Sequence, residues 1–127
     1  MDEITYAGIP ASEVIAFTEA INYLDLVERG MFGDAVNASI VRNVKAAGLK
    51  GQAVSIRGLS RVIGMQPSTI RRRIGSLVEQ GWLIHDDTGL HYSPAAFERG
   101  APEVRKALLR FASMLKRLGW GDFRPPP

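Results

Sequence analysis

The chain has no cysteine among its 127 residues, so it can form no disulfide and offers no thiolate nucleophile or ligand. It has only two histidines, His85 and His91, and without cysteine or an H-x-H spacing they make a poor metal site. No apolar run approaches the roughly 20 residues that span a bilayer. These absences predict a cytoplasmic protein without a metal and without a membrane segment.

Residue patterns typical of enzymes are missing as well. The sequence offers no Ser-His-Asp set, no glycine-rich phosphate loop and no pair of carboxylates on a common apolar face. Asp86 and Asp87 are turn residues, and Gly58 and Gly64 mark helix boundaries. We therefore predict that the protein is not an enzyme and uses no cofactor.

Charge is distributed unevenly along the chain, although the net charge is only +3. Residues 1–41 hold seven acidic residues and one basic residue, whereas residues 42–80 hold eight basic residues and a single acidic one, Glu79. Phosphate binding requires a local positive potential rather than a positive total. The composition therefore favours residues 42–80 for contact with nucleic acid.

Residues 55–81 have the pattern of two helices joined by a tight turn. The first helix has apolar residues at three- and four-residue spacing, namely Ile56, Leu59, Val62 and Ile63. Ser55 suits its N-cap, and Gly64 suits the left-handed conformation that ends a helix. Pro67 opens the second helix, which runs to Gln80 and stops at Gly81. Its apolar stripe consists of Ile70, Ile74, Leu77 and Val78.

A β-hairpin is predicted directly after these helices. Residues 82–84 (Trp-Leu-Ile) begin a strand, residues 85–89 supply turn residues, and residues 90–92 (Leu-His-Tyr) return as its partner. Residues 53–54 are expected to form a short strand that pairs with this hairpin. Trp82 is expected to fill the seam between the second helix and the sheet.

The stretch GMQPSTIRRRIGSLVEQGWLI, residues 64–84, resembles the turn and recognition helix of bacterial winged helix-turn-helix regulators, most nearly those of the MarR type. The matching residues are Gly64, Met65, Pro67, Ser68, Thr69, Ile70, Arg72, Leu77 and Gly81. The resemblance implies a mainly α fold with a small β-wing (α+β), in which a winged helix-turn-helix carries additional N- and C-terminal helices. It also implies that Pro67–Gln80 enters the major groove of double-stranded DNA.

Eight polar or basic residues are the predicted DNA contacts. Ser68, Thr69 and Arg72 are expected to read bases, because arginine can form a bidentate pair with guanine. The expected phosphate contacts are Arg57, Arg61, Arg71 and Arg73, and Ser76 shares the polar face of the helix.

Two departures from the family pattern stand out. Gln66 is a weaker N-cap than Ser or Asp. The hairpin tip carries Asp86 and Asp87, which phosphate would repel.

The flanking segments are predicted to form helices over about residues 10–30, from Asp34 to about Ala47, and over about 102–118, with a short helical turn at 93–97. The last helix has an apolar pattern of Val104, Ala107, Leu108, Phe111, Met114, Leu115 and Leu118. In MarR-like proteins the terminal helices make the dimer, so the resemblance implies a homodimer. We treat residues 1–118 as one domain and 119–127 as a proline-rich flexible tail.

The main hypothesis is therefore a sequence-specific transcription regulator. Two alternatives remain open: a plasmid or phage replication initiator or accessory DNA-binding protein, and a winged-helix protein–protein adaptor. The adaptor has no need of clustered arginines on the second helix, and the sequence does not separate the first alternative from a regulator. No residue pattern identifies a small-molecule effector.

Overall fold

The structure is a computed structural model, and it describes residues 5–119. Within these residues, helices dominate and are accompanied by two small antiparallel sheets, so the predicted mainly α, α+β class is confirmed. The elements are, in chain order, β1 (Thr5–Tyr6), β2 (Ile9–Pro10), α1 (Ala11–Phe32), α2 (Ala35–Leu49), α3 (Ile56–Ile63), α4 (Pro67–Glu79), β3 (Leu83–Asp86), β4 (Gly89–Tyr92) and α5 (Pro94–Leu118). None of the helices in this range is both long and apolar enough to cross a bilayer.

The chain divides into two compact units where one domain was expected. Residues 28–101 form one unit, and the segments before residue 28 and after residue 101 form the other. Both division points fall inside long helices, α1 and α5. The second of them coincides with Pro102, where the sequence predicted a helix start. The predicted tail lies outside the described residues from position 120 onward.

The unit of residues 28–101 has a single apolar core, in which α2 packs against α3, α4 and β4. Its most deeply buried large side chains are Ile40, Val41, Val44, Leu59, Ile70, Ile74, Leu77 and Leu90. Burial of each such side chain stabilises the fold by about 1.5–3 kcal/mol. Asp34 caps α2, because its carboxylate accepts a 2.8 Å hydrogen bond from the Asn37 N–H.

The predicted hairpin is present as β3 and β4, which pair from Leu83↔Tyr92 to Asp86↔Gly89. Its first strand begins one residue later than predicted, at Leu83, and the strands include His85, Asp86 and Gly89, which were predicted to lie in the turn. Val54 adds a single bridge to Leu90, with hydrogen bonds of 2.9 and 3.5 Å in the two directions, so the predicted short strand is present as one residue. Gly89 has a φ of 124°, and a Cβ there would lie 3.0 Å from the Val54 carbonyl oxygen. Only glycine can therefore occupy the point at which β4 meets residue 54.

The other unit contains the β1–β2 hairpin, most of α1 and the C-terminal part of α5. The Arg110 guanidinium lies 4.0 Å from the centre of the Tyr23 ring, which is a cation–π contact between these helices. Several large apolar side chains of both helices stay exposed: Ile15, Phe17, Ile21, Leu26, Val104, Leu108 and Leu109. Of the seven apolar residues predicted for the last helix, Val104 and Leu108 are exposed, and the other five are buried or half-buried.

The predicted bounds of both terminal helices differ from the structure. Pro10 lies in β2 rather than at a helix start, and α1 continues through Gly30 to Phe32. The segments after Ser93 form one helix, α5, with Pro102 inside it, instead of a short turn and a separate helix. Proline has no N–H to give to the carbonyl of Glu98. Both residues are exposed, so water can satisfy that carbonyl and the helix can continue.

Candidate nucleic-acid interface

The turn between α3 and α4 is held by its own backbone and by one hydroxyl. The Ser55 side chain accepts a 2.9 Å hydrogen bond from the Gly58 N–H, which confirms the predicted N-cap of α3. Gly64 ends α3 with a φ of 79°, and its N–H donates to the Ser60 carbonyl. The Ser60 hydroxyl donates to the carbonyl of Met65. These bonds fix the direction in which the chain enters α4.

Helix α4 begins at Pro67, and the side chain of Gln66 makes no capping hydrogen bond. The prediction of a weak cap at this position is therefore confirmed. Because the positive end of a helix dipole and its first N–H groups attract anions, an end that Gln66 does not cap is favourable for phosphate.

The buried residues of α4 determine which of its residues face outward. Ile70, Ile74 and Leu77 are at most 2% exposed, so they define the side that packs on the core. At about 100° per residue, the opposite side carries residues 68, 72, 75 and 79 in one line along the helix. These four residues, Ser68, Arg72, Gly75 and Glu79, are all exposed, and we call them the outward line.

Most of the predicted contact residues of α4 lie on or beside the outward line. Arg72 lies on it, and Arg71 is exposed along one flank. Ser76 is exposed on the other flank, where its hydroxyl accepts a 3.1 Å hydrogen bond from the Gln80 side chain. Thr69 is half-buried at the edge of that flank. Two guanidinium groups and the hydroxyl groups of Ser68 and Ser76 therefore share one surface, and the Glu79 carboxylate lies at its C-terminal end.

Arg73 does not belong to this surface, and its expected phosphate contact is corrected. Its guanidinium Nη1 donates to the Asp34 carboxylate at 2.5 Å and to the Asn37 side-chain oxygen at 3.2 Å. The amide of Asn37 in turn donates to the Phe32 carbonyl at 2.8 Å. Arg73 follows Ile70 by three positions, about 300° around the helix, which places it at the edge of the buried face. It therefore ties α4 to the start of α2.

The Asp34 carboxyl has a pKa below its ordinary value of 3.8, first because the Asn37 N–H donates to it and second because Arg73 does. A lowered pKa in the folded state stabilises the protein at pH values above 3.8. This stabilisation is lost as the pH falls from there through the lower folded-state pKa. The Asp34 side chain is 49% exposed, so solvent screening keeps the ion-pair contribution below about 1 kcal/mol.

We expect Asp34→Asn to keep the helix cap and lose the ion pair, because asparagine is an equally good N-cap. At neutral pH the variant should be less stable than the wild type by up to about 1 kcal/mol. Urea denaturation at a series of pH values should show this difference shrink below pH 3.8. Asp87→Asn, which removes the same charge from the exposed hairpin tip, is the matched control. A stability difference for Asp34→Asn that persists unchanged in acid would contradict the pairing.

Helix α3 presents two further predicted residues. Arg57 and Arg61 are exposed and four positions apart, one turn along the side of α3 that faces away from the buried Leu59. Val62, assigned to the apolar face from its spacing, is instead 70% exposed. The core side is set by Leu59, Ile56 and Ile63, and Val62 lies about 100° or more from the last two.

The hairpin tip is acidic and internally bonded. The Asp86 carboxylate accepts hydrogen bonds from the Thr88 N–H at 2.9 Å and from the Thr88 hydroxyl at 2.6 Å, and lies 3.1 Å from His91 Nε2. The bonds from Thr88, more than His91, hold the pKa of Asp86 below its ordinary value. Asp87 is exposed beside it. Residues 5–119 contain no cluster of three or more His, Cys, Asp or Glu side chains that could hold a metal.

The end of α4 is fixed by Trp82 and by Arg99, a residue that was not predicted to contribute. Trp82 is 3% exposed and packs edge-on against Phe32, with ring centres 4.8 Å apart. The Arg99 guanidinium stacks 3.8 Å from the centre of the Trp82 ring and donates to the Gln80 carbonyl at 2.8 Å. A cation from α5 therefore satisfies the C-terminal end of α4, as the helix dipole favours. The burial of Trp82 was predicted, and its partners were not.

The structure thus brings Ser68, Arg71, Arg72 and Ser76 together on α4, with Thr69 at their edge. It places Arg57 and Arg61 on the outer side of α3, and it removes Arg73. Such a surface can pair with phosphate oxygens through its guanidinium groups and with base edges through arginine and hydroxyl groups. No family model, curated protein or solved structure matches this chain.

Proposed function

We propose that the protein is a winged-helix transcription regulator that binds specific sequences of double-stranded DNA and inserts α4 into the major groove. The observation that carries the proposal is the orientation of α4. Its apolar side is buried by Ile70, Ile74 and Leu77, and the side that remains free carries Arg71 and Arg72. A basic helix held with its polar side outward has the form that helix-turn-helix proteins use to read DNA.

The order of the neighbouring elements supports a winged helix. Helix α3 packs against α4 across a tight turn, and the β3–β4 hairpin follows α4 directly. Val54, just before α3, pairs with β4, so the hairpin is joined to the helices by backbone hydrogen bonds. This arrangement supports the role of β3–β4 as the wing. Its acidic tip argues against insertion into a minor groove, because phosphate would repel Asp87.

The proposed role of each residue in DNA binding follows from its position and its exposed charge. Arg57, Arg61 and Arg71 are proposed to bind phosphates, which would provide most of the affinity for any sequence. Arg72, with Ser68 and Thr69, is proposed to read bases, because arginine on the outward line can approach guanine O6 and N7 together. In this proposal Arg73 positions the helix and makes no DNA contact.

We further propose that the regulator acts as a homodimer through α1 and α5. The exposed apolar side chains of these helices, among them Phe17, Ile21 and Leu108, support a second copy as their cover. Most soluble oligomers are symmetric homo-oligomers, and a two-fold dimer would present two copies of α4 to an inverted repeat in DNA.

The test is fluorescence anisotropy with random-sequence duplex DNA across a salt series. We expect the logarithm of the affinity to fall linearly with the logarithm of the salt concentration, with a slope of about −2.7 for three phosphate contacts per protomer. The double variant Arg57→Ala/Arg61→Ala should reduce the steepness by about 1.8 per protomer. Lys106→Ala/Arg117→Ala removes the same charge from exposed positions of α5 on the side opposite Leu108 and should leave the slope unchanged. Binding that is absent, or insensitive to salt, would refute the proposal.

A further inference from the structure

Gly75 lies in the interior of α4, on the outward line, at a position where the fold has no use for a glycine. Its backbone is not in the left-handed region, so no turn or cap explains it. A Cβ built at this position meets no atom of the described residues within 4 Å, beyond the backbone of the helix itself. Alanine would therefore fit without strain or collision in the free protein.

A glycine at such a position weakens the helix. After proline, glycine is the poorest helix former, because it loses the most backbone freedom on folding. Within α4 nothing offsets this loss, since the position is exposed and gains no packing from the missing side chain. Gly30 and Gly48 are also exposed helical glycines whose added Cβ would meet nothing within 4 Å, so what distinguishes Gly75, and can give a reason for its bare backbone, is its place on the outward line beside Arg72.

The neighbours of Gly75 indicate what that reason is. The turn before it carries Arg71 and Arg72, the two exposed guanidinium groups of α4. Gly75 and Ser76 follow with no side chain and a very short one. Along the outward line, the longest side chain, that of Arg72, is therefore followed within a single turn by a position with no side chain, Gly75. A surface that Arg72 penetrates would meet the backbone of α4 first at Gly75.

We propose that Gly75 is the point of closest approach between α4 and the DNA duplex, where a wall of the major groove lies against the helix backbone. The proposal rests on the proposed function, because it takes α4 to be the helix that enters the groove. Glycine is the residue used where backbone must come close to a ligand. The missing side chain lets α4 sit deeper and brings Arg72 within reach of base edges. Gly75 is accordingly a positioning residue.

In Gly75→Ala, we expect the stability of the protein to rise and its affinity for DNA to fall. The melting temperature should rise by a few degrees, roughly the change expected from better helix propensity. Affinity for duplex DNA should fall by about tenfold, because an inserted methyl group would separate two packed surfaces. Gly75→Leu keeps a good helix former and adds length, so affinity should fall further while the helix stays formed.

Gly48→Ala is the matched control. Gly48 is also an exposed helical glycine whose added Cβ would meet nothing within 4 Å, and it lies in α2, outside the proposed dimer helices. Its replacement should raise the melting temperature and leave DNA affinity unchanged. If the wild type binds DNA, and Gly75→Ala and Gly75→Leu bind it with the same affinity as the wild type, the proposed close approach is overturned. The proposed DNA-binding function would still stand. A wild type that shows no salt-dependent duplex binding would overturn both proposals.

Discussion

Replacement of Arg72 by alanine is expected to lower the affinity for a preferred DNA sequence by about 5- to 150-fold, which corresponds to a loss of about 1–3 kcal/mol. Arg72 lies at the centre of the exposed face of α4, about 200° around the helix from the buried Ile70. A guanidinium there can bond to both acceptors on the major-groove edge of guanine, and alanine can bond to neither. The loss of affinity should therefore be large for preferred sequences and small for random duplexes.

The measurement begins with selection of preferred duplexes from a random library by the wild-type protein. Affinities of the wild type and Arg72→Ala are then compared on the selected sequences and on scrambled ones. For a two-fold dimer, the selected sequences should contain an inverted repeat. A single asymmetric site would contradict that part of the proposal.

Arg71→Ala gives the contrast, because Arg71 is proposed to bind phosphate. It should weaken binding to all duplexes alike and reduce the steepness of the salt dependence by about 0.9 per protomer. Arg117→Ala, which removes the same charge from an exposed position of α5 opposite Leu108, should change neither quantity. An equal loss on every sequence in Arg72→Ala would reassign Arg72 to the DNA backbone and leave Ser68 and Thr69 as the proposed base contacts.

Helices α3 and α4, the turn between them and the β3–β4 hairpin could be predicted from sequence because their determinants are local. Ser55 caps α3 by accepting a hydrogen bond from the N–H of Gly58, only three residues later. Gly64 supplies the left-handed conformation that ends the helix. Pro67 opens α4 at the position where its missing N–H has no effect. Each signal acts within a few residues of the boundary that it sets, so the sequence alone is sufficient to place the boundary.

Arg73 shows where such local reasoning fails. Its partner, Asp34, is 39 residues earlier in the chain, and only the packing of α2 against α4 brings the two together. A run of three arginines looks uniform in sequence, yet helical phase separates its members. Arg71 and Arg72 face outward, whereas Arg73 lies about 60° from Ile70 and reaches a carboxylate at the edge of the core. Counting positions from Ile70 would have indicated this difference.

The terminal segments were harder to predict for other reasons. Strands β1 and β2 are two residues long and pair across the turn at Ala7 and Gly8, so they have no alternation of apolar and polar residues to reveal them. Pro102 is a strong signal for a helix start, and the fold overrides it because the carbonyl that loses its partner is on an exposed residue. Such a choice depends on solvent exposure, which follows from the tertiary structure.

Leu77→Ala is expected to have the largest effect on stability, a loss of about 2–5 kcal/mol in the free energy of unfolding. Leu77 is 0% exposed in the core formed with α2 and the hairpin. Truncation removes buried apolar atoms and leaves a cavity, because close-packed neighbours relax only partly into the space. A loss of this size is a large fraction of the 5–15 kcal/mol that holds a typical domain folded.

Val78→Ala is the matched control, because the adjacent residue is 37% exposed and also loses apolar atoms. It should lower stability by less than about 1 kcal/mol, since less area is buried and alanine is the better helix former. Urea denaturation of both variants measures the difference. The proposed interface adds a second expectation: Leu77→Ala should bind DNA with wild-type affinity once the unfolded fraction is subtracted, because Leu77 faces the core. Similar losses of stability in the two variants would mean that α4 is rotated from the orientation described here. Arg71 and Arg72 would then not be the side chains that α4 presents to DNA.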